Sequence, residues 1–505
     1  MLGNKFSTLT ELEISNANEV QLQLIFYGNL PNLIKFIIVN CSILICREAL
    51  ILDKLFPATN IRKLLMDSIN YTTQRGESQV EPAENAVSLA DCTKLYLWMA
   101  KCCPQLTKLL LYDCYGTHYT NMVPMLHELL ALKDFTYWVS SASLEQLLAN
   151  SPESAATFRD IAPLPVEGIT GDKEYHLPYI TSLNISTNML EPWLVRQVFE
   201  IVFQGCDLRG LQTLTLRLSC YDIPSDCYDR LMNFLLEEGH RLKSICLDIV
   251  DENTSPLLAA ICKSCTSLEH WKLKNLTIQD SLLTCLTHPN TLPRLLSLSL
   301  YIVCLNNASM EMICRSSVAN QLTKLSLIHV SILSLEAYHL IVHSFPKLQY
   351  LKIDMSFHLD QTNDSELRVC FRSVVQWLDE LFSRQCVFAD TIETLSLLIS
   401  DEDPNDPSHF LDWTTSENAS FTDELFHDHM LKHWRFRFPA LQSFSMTWKI
   451  NHHLMNSLMV RRLLNCTKLH SIELDLWKNE SRNQYKVMNI KNRPEVIRQM
   501  REGYY

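Results

Sequence analysis

Glycine is scarce in this chain: 10 residues in 505. No stretch forms a phosphate-cradling glycine loop, and no Ser/His/Asp set can be assigned. Enzyme chemistry is therefore not expected, and neither are catalytic residues or cofactors. Positive charge is also in deficit. Lys and Arg number 44 against 56 Asp and Glu, a formal charge of −12, which argues against a general nucleic-acid binder. Long apolar runs are missing too. The most apolar window, LIKFIIVNCSILI (33–45), is too short and too interrupted to span a bilayer. The first residues, MLGNKFSTLTELEI, lack a basic segment followed by an apolar run, so no secretory signal is read there. No membrane and no nucleic acid are expected as partners.

Cysteine is not in short supply, with 18 residues, but its placement excludes a secreted disulfide scaffold. Many lie at repeat positions, such as Cys41 and Cys114 just after a frame and Cys265 and Cys466 just before one, where a small apolar side chain packs well. A reducing compartment, cytoplasmic or nuclear, with free thiols is the expectation.

The repeating pattern is the main content of the sequence. LQTLTL (211–216), LKSICL (242–247), LEHWKL (268–273), LLSLSL (295–300), LTKLSL (322–327) and LQYLKI (348–353) share the frame Leu-x-x-Apolar-x-Apolar, with starts 31, 26, 27, 27 and 26 residues apart. The frame is already present in LTELEI (9–14), LIKFII (33–38), IRKLLM (61–66), LTKLLL (106–111), LKDFTY (132–137) and ITSLNI (180–185). It closes with IETLSL (392–397), LQSFSM (441–446) and LHSIEL (469–474). This frame at a period of about 20 to 30 residues is the mark of leucine-rich repeats. Each frame reads as a short strand. Between frames lie amphipathic segments such as LEQLLAN (144–150), CYDRLMNFLLEEG (227–239) and LEAYHLIVHSF (335–345), read as helices. Such units bury their apolar faces only by stacking.

The expected architecture is therefore an α/β leucine-rich-repeat solenoid, with a parallel sheet on the concave face and helices on the convex face. Residues 1–477 would form one solenoid of about fifteen repeats, and 478–505 a C-terminal cap or tail. In that tail PEVIRQMREG (494–503) reads as a short helix, started by Pro494 and ended by Gly503. Long insertions fall near 72–90, 151–178, 356–366 and 400–420. Three of the four follow a strand, on one edge of the array, where insertions often belong to a binding surface.

NLPNLIKFIIVNC (29–41) and KCCPQLTKLLLYDC (101–114) match an extended form of the frame, and SCTSLEHWKLKNL (264–276) and NCTKLHSIELD (465–475) match its first half. In these segments the chain resembles the longer leucine-rich repeats of F-box substrate receptors and of ribonuclease-inhibitor-like proteins. The resemblance implies a protein-binding platform. It implies a substrate-recognition role like that of F-box receptors of cullin ubiquitin ligases. The alternative is a ribonuclease-inhibitor-like scaffold or inhibitor with no ligase attached. An F-box itself is not evident. Its superficial candidate, Leu30-Pro31-Asn32-Leu33-Ile34, runs into FIIV (36–39), which is strand-like and fits the repeat frame. A cullin-ligase adaptor would be a partner if an F-box lies upstream of this chain.

On each frame strand the third, fifth and seventh positions point away from the core. In the central repeats they include Arg217, His270, Lys272, Lys274, Tyr301, Lys324, Tyr350 and Lys352. Basic and aromatic residues gathered on the concave face of an acidic protein suit an acidic or phosphorylated protein segment. Asp248 and Asp354 interrupt this set. Other motifs are weaker. HDHMLKH (427–433) places His429 and His433 at i and i+4 but lacks the Glu of a zinc protease. DEDPNDPSHFLD (401–412) has Asp406 where a calcium loop needs Gly. Cys262-Lys-Ser-Cys265 has no partner pair. No metal site is expected.

Overall fold

The structure is a computed structural model that describes residues 8–15, 32–39, 42–44, 60–67, 70–72, 96–97, 100–101, 103–112, 119–139, 177–187, 192–218, 223–249, 255–275, 291–301, 307–328, 335–356, 364–382, 386–400, 437–448, 463, 466, 468–469, 471–476 and 488–491. The chain divides into two compact units, Met1–Asp251 and Glu252–Tyr505. Each has the α/β leucine-rich-repeat architecture.

In the first unit the frame strands are β1 (Glu11–Ser15), β2 (Lys35–Val39), β4 (Lys63–Asp67), β6 (Lys108–Tyr112), β7 (Asp134–Val139), β8 (Ser182–Thr187), β9 (Thr213–Leu218) and β10 (Ser244–Ile249). They lie side by side in chain order, all parallel. Two further strands, β3 (Ser42–Leu44) and β5 (Asn70–Thr72), pair in a small parallel sheet that the frame does not announce. Helices α1 (Tyr119–Glu128), α2 (Pro192–Gly205) and α3 (Ser225–Glu238) connect successive strands.

The second unit opens with α4 (Ser255–Ser264) and β11 (His270–Lys274). It continues through β12 (Ser297–Tyr301), α5 (Asn307–Arg315), β13 (Lys324–Ile328), α6 (Leu335–Ser344), β14 (Tyr350–Ser356) and α7 (Asp364–Leu381). It closes with β15 (Thr394–Ser400), β16 (Ser443–Trp448), β17 (Ser471–Leu476) and β18 (Met488–Lys491). Strands β11 to β17 are parallel in chain order, and β18 pairs antiparallel with β17.

Registration repeats without slip, because the same frame position faces itself across each pair: Thr213 opposite Ser244, Lys324 opposite Tyr350, Thr394 opposite Ser443. Two backbone devices hold it. The carbonyl at the second frame position accepts from the second and third N–H groups of the next repeat. Ile34 O takes Arg62 N at 2.8 Å and Lys63 N at 3.1 Å, and Leu296 O takes Thr323 N at 2.9 Å and Lys324 N at 3.0 Å. Upstream, the N–H of the first frame Leu donates to the carbonyl three residues before it, as Leu106 does to Cys103 at 3.0 Å and Leu268 to Cys265 at 3.1 Å. That tight turn drives the residue three before the frame inward. Cys103, Cys265 and Cys466 are all buried there, which is why a small apolar side chain recurs at this point.

The frame apolar residues form the core. Leu268, Trp271 and Leu273 are buried, as are Leu295, Leu298 and Leu300, and Leu322, Leu325 and Leu327. Helices cover that face: α3 buries Cys227, Leu231, Phe234 and Leu235, and α4 buries Leu257, Leu258 and Ile261. Between α6 and α7 the Trp377 indole N–H donates to the Tyr338 carbonyl at 3.0 Å.

Some local readings change. The expected insertion near 356–366 ends inside α7, an 18-residue helix that buries Val374, Val375, Trp377, Leu378 and Leu381. Part of the extra length of that repeat builds helix. In the tail, Met488–Lys491 is a strand held by β17, while the helix expected at 494–503 lies outside the described residues. So do the segment 144–150 and the insertions, apart from Thr72, 177–178, Ser356, 364–366 and Ser400. Leu30 and Pro31 also lie outside, but Phe36–Val39 belong to β2 between β1 and β4, so this stretch is a repeat strand as its β-branched sequence implies.

Candidate functional site

Away from the helices, the sheet of the second unit presents a face built from alternate strand residues. Parallel pairing without slip turns each outward frame position into a row across strands about 4.8 Å apart. The first row reads His270, Ser297, Lys324, Tyr350 and Thr394. The second reads Lys272, Ser299, Ser326, Lys352 and Ser396, and the third begins with Lys274 and Tyr301. Seven of the eight residues singled out in the sequence are thus brought onto one face. His270, Lys272 and Lys324 are exposed, and Lys274, Tyr301, Tyr350 and Lys352 are half-buried. The eighth, Arg217, is exposed on β9 of the first unit, opposite Asp248.

The lysines and tyrosines are organised in pairs. Lys274 Nζ lies 5.1 Å from the centroid of the Tyr301 ring, and Lys324 Nζ lies 4.4 Å from that of Tyr350. Each pair is a register pair on adjacent strands, so the pairing follows directly from the repeat. A cation over a ring contributes roughly 0.5–1 kcal/mol at exposed sites. It holds the ammonium near the sheet. Burial pushes the Tyr350 hydroxyl above the usual phenol range, so it remains a neutral donor at physiological pH. Between the lysines the floor is low: Ser297 and Ser326 are only 8% and 6% exposed. The two acids expected to break the patch do not stand out from it, since Asp248 is 6% and Asp354 1% exposed. The chemistry on offer is hydrogen bonding and charge attraction toward an acidic group, with rings flanking it.

Other candidate chemistry recedes. Cys262 and Cys265 are buried free thiols at the end of α4, and burial pushes the Cys265 thiol up to about 12, which suppresses the reactive thiolate. The histidine motif at 427–433 and the acidic loop at 401–412 lie outside the described residues. Among the described residues no group of three or more His, Cys, Asp or Glu could hold a metal ion. No helix among them is long and apolar enough to cross a membrane. A cavity of about 20 Å³ in the first unit is lined by apolar residues only, among them Leu183, Phe199, Val202 and Leu231. It has room for one water and no polar group to hold it.

Sequence reasoning overlooked a second set of outward residues. β2, β4 and β6 place Ile37, Leu65 and Leu110 on the open face of the first unit, in one row. The signal was there in KFIIV, KLLMD and KLLLY, each with an apolar residue at the fifth frame position, which should be polar if that face meets only water.

No family model matches the sequence, and no curated protein matches it. Among solved structures, one described as a complex of Rad7 and Elc1 in yeast is similar to 82% of this chain over 87% of its own, at 15% identity and a TM-score of 0.34.

Proposed function

We propose that this chain is a protein-interaction module that recognises an acidic or phosphorylated segment of its partner on the open face of the second unit's sheet. The observation that carries this reading is the array of Lys272 and Lys274 on β11, Lys324 on β13 and Lys352 on β14, with two of the lysines set over tyrosine rings. On a chain of net charge −12, such a concentration of cations on one small face favours a complementary acidic ligand. The cellular role is substrate recognition, similar to that of F-box leucine-rich receptors of cullin ubiquitin ligases. It is non-catalytic and exercised in the cytoplasm or nucleus.

The test has two readouts. Tagged protein is purified from its own cells and its stoichiometric partners are identified by mass spectrometry. A variant carrying Lys272→Glu, Lys274→Glu and Lys324→Glu is then compared for binding of those partners. Loss of at least tenfold in affinity, with a strong salt dependence for the parent protein, is expected. Undiminished binding by the folded triple variant would sink the assignment of the face. Recovery of the ligase adaptor and cullin supports the receptor role, whereas a stoichiometric partner without them points to a scaffold or inhibitor.

A further inference from the structure

The first unit carries a surface of different chemistry. At the fifth frame position, β2, β4 and β6 place Ile37, Leu65 and Leu110 side by side on the open face, half-buried while their neighbours in sequence are in the core. The row is bounded by polar residues: Glu13 precedes it on β1 and Thr136 follows it on β7. At the same position β8, β9 and β10 hold Asn184, Thr215 and Cys246, and in the second unit β11 to β16 hold lysine or serine and β17 holds Glu473. The repeat does not demand an apolar residue here, and three consecutive strands supply one.

The third frame position of the same strands supplies Lys35, Lys63 and Lys108, again in one row. Lys35 meets Glu11 at 2.8 Å and Lys108 meets Asp134 at 3.6 Å, at the two ends. Like charges opposite one another on a sheet are destabilising. The row Glu–Lys–Lys–Lys–Asp places Lys63 between two other lysines, an arrangement that an incoming carboxylate relieves.

We infer that this face docks an amphipathic α-helix of a partner protein, lying across the strands with apolar residues on Ile37, Leu65 and Leu110 and an acidic edge over the lysine row. The spacing selects a helix. The apolar row spans two strand intervals, ~9.6 Å. Side chains at i, i+4 and i+7 of a helix span nearly two turns, ~10.5 Å. Alternate residues of an extended peptide would need ~13.5 Å for the same three contacts. An extended peptide joins a sheet through an edge, and the sheet face offers none. The lysine row lies ~6.6 Å from the apolar row, so the acidic residues belong on the flank of the helix, one position from its apolar stripe.

The experiment uses the full chain and two stapled helical peptides of identical apolar stripe, with Leu at i, i+4 and i+7. One has Glu along the flank and the other Lys, and binding is read by fluorescence anisotropy. The Glu-flanked peptide is expected to bind at least tenfold tighter. Leu65→Ser should weaken it at least tenfold, and Lys63→Glu should reverse the order of the two peptides. Equal binding, no binding, or binding indifferent to both substitutions overturns the inference. The unfolding midpoint is measured for each variant. If Leu65→Ser lowers it, Lys63→Glu decides, since its ammonium is outside the core. Lys347→Glu, at an exposed position of the second unit, should leave peptide binding unchanged, and a loss there overturns the placement. A failure of this surface thus remains distinct from a failure of the lysine–tyrosine face.

Discussion

Leu298 offers a direct test of the repeat architecture. It sits on β12 at 2% exposure, with Trp271 of β11 and Leu325 of β13 as register neighbours, both also buried. Leu298→Ala removes a fully enclosed isobutyl group and leaves a cavity between two strands that the backbone ladder holds in register. Such truncations cost about 2–5 kcal/mol. With Trp271 on one side and well-packed leucines on the other, collapse is limited, and a value near the middle, ~3 kcal/mol, is expected. Because each repeat packs only on its neighbours, the loss should be local. The assay is hydrogen exchange read by peptide, where ~3 kcal/mol corresponds to roughly a hundredfold faster opening. Peptides covering β11, β12 and β13 should show it, while those covering β16 and β17 keep their protection. Leu298→Asp, which also buries a charge, should erase protection of the same three strands altogether. Uniform acceleration through β17 would refute the reasoning, because it would show the unit opening as one cooperative block rather than repeat by repeat.

Other outcomes follow from named contacts. A Cβ at Gly205 of α2 would lie 2.7 Å from the Leu126 Cδ1 of α1, and Leu126 is fully buried; Gly205→Ala should therefore destabilise the first unit by ~1–3 kcal/mol through overpacking, seen as a lower denaturant midpoint. The Arg196 guanidinium, bonded to Asp226 through two contacts of 3.0 Å, holds that carboxyl below its ordinary range. Its contribution is then present above about pH 4 and lost as pH falls through the depressed folded value. Both partners are about half exposed, so it amounts to at most ~1 kcal/mol; Asp226→Asn should lower stability slightly at neutral pH and flatten the acid limb of the stability–pH curve. Burial pushes the thiols of Cys227, Cys265 and Cys386 up to about 12, so peptide-resolved alkylation at pH 8 should label them only at the rate of local unfolding, and rapid native labelling would contradict their placement.

Much of the strand plan was legible because one residue pattern serves three purposes. The frame leucines mark the core, their spacing marks the strand, and the interval marks the next layer. Even LKDFTY and ITSLNI, with their loose spacing, fall on β7 and β8. The residues at Lys274 and Tyr301 could be placed on the open face from parity alone, but their contact depends on register, which a single strand's sequence does not carry. β18 was not legible: Met488–Lys491 has no frame and becomes a strand only because β17 offers it a partner. α7 was partly legible in the spacing of Val374, Trp377, Leu378 and Leu381, but intervals counted from strand to strand make its length look like an insertion. The row of Ile37, Leu65 and Leu110 is hidden in the sequence for another reason. Strands such as KLLLY are apolar at both parities, and a continuous apolar run conceals which residues face outward.

The reversal at β18 bears on how this protein keeps to itself. A stack of identical parallel repeats ends in a strand whose free N–H and C=O groups invite another parallel strand, and two such molecules could join end to end. Antiparallel pairing of β18 with Leu474, Glu473, Ile472 and Ser471 occupies that side of β17. What β18 then shows outward runs in the opposite direction, with hydrogen-bonding groups spaced for an antiparallel neighbour. Among the described residues, a four-residue strand thus makes this edge of the second unit's sheet a poor template for its own kind, so that copying of the repeat onto β18 is discouraged by chain direction alone.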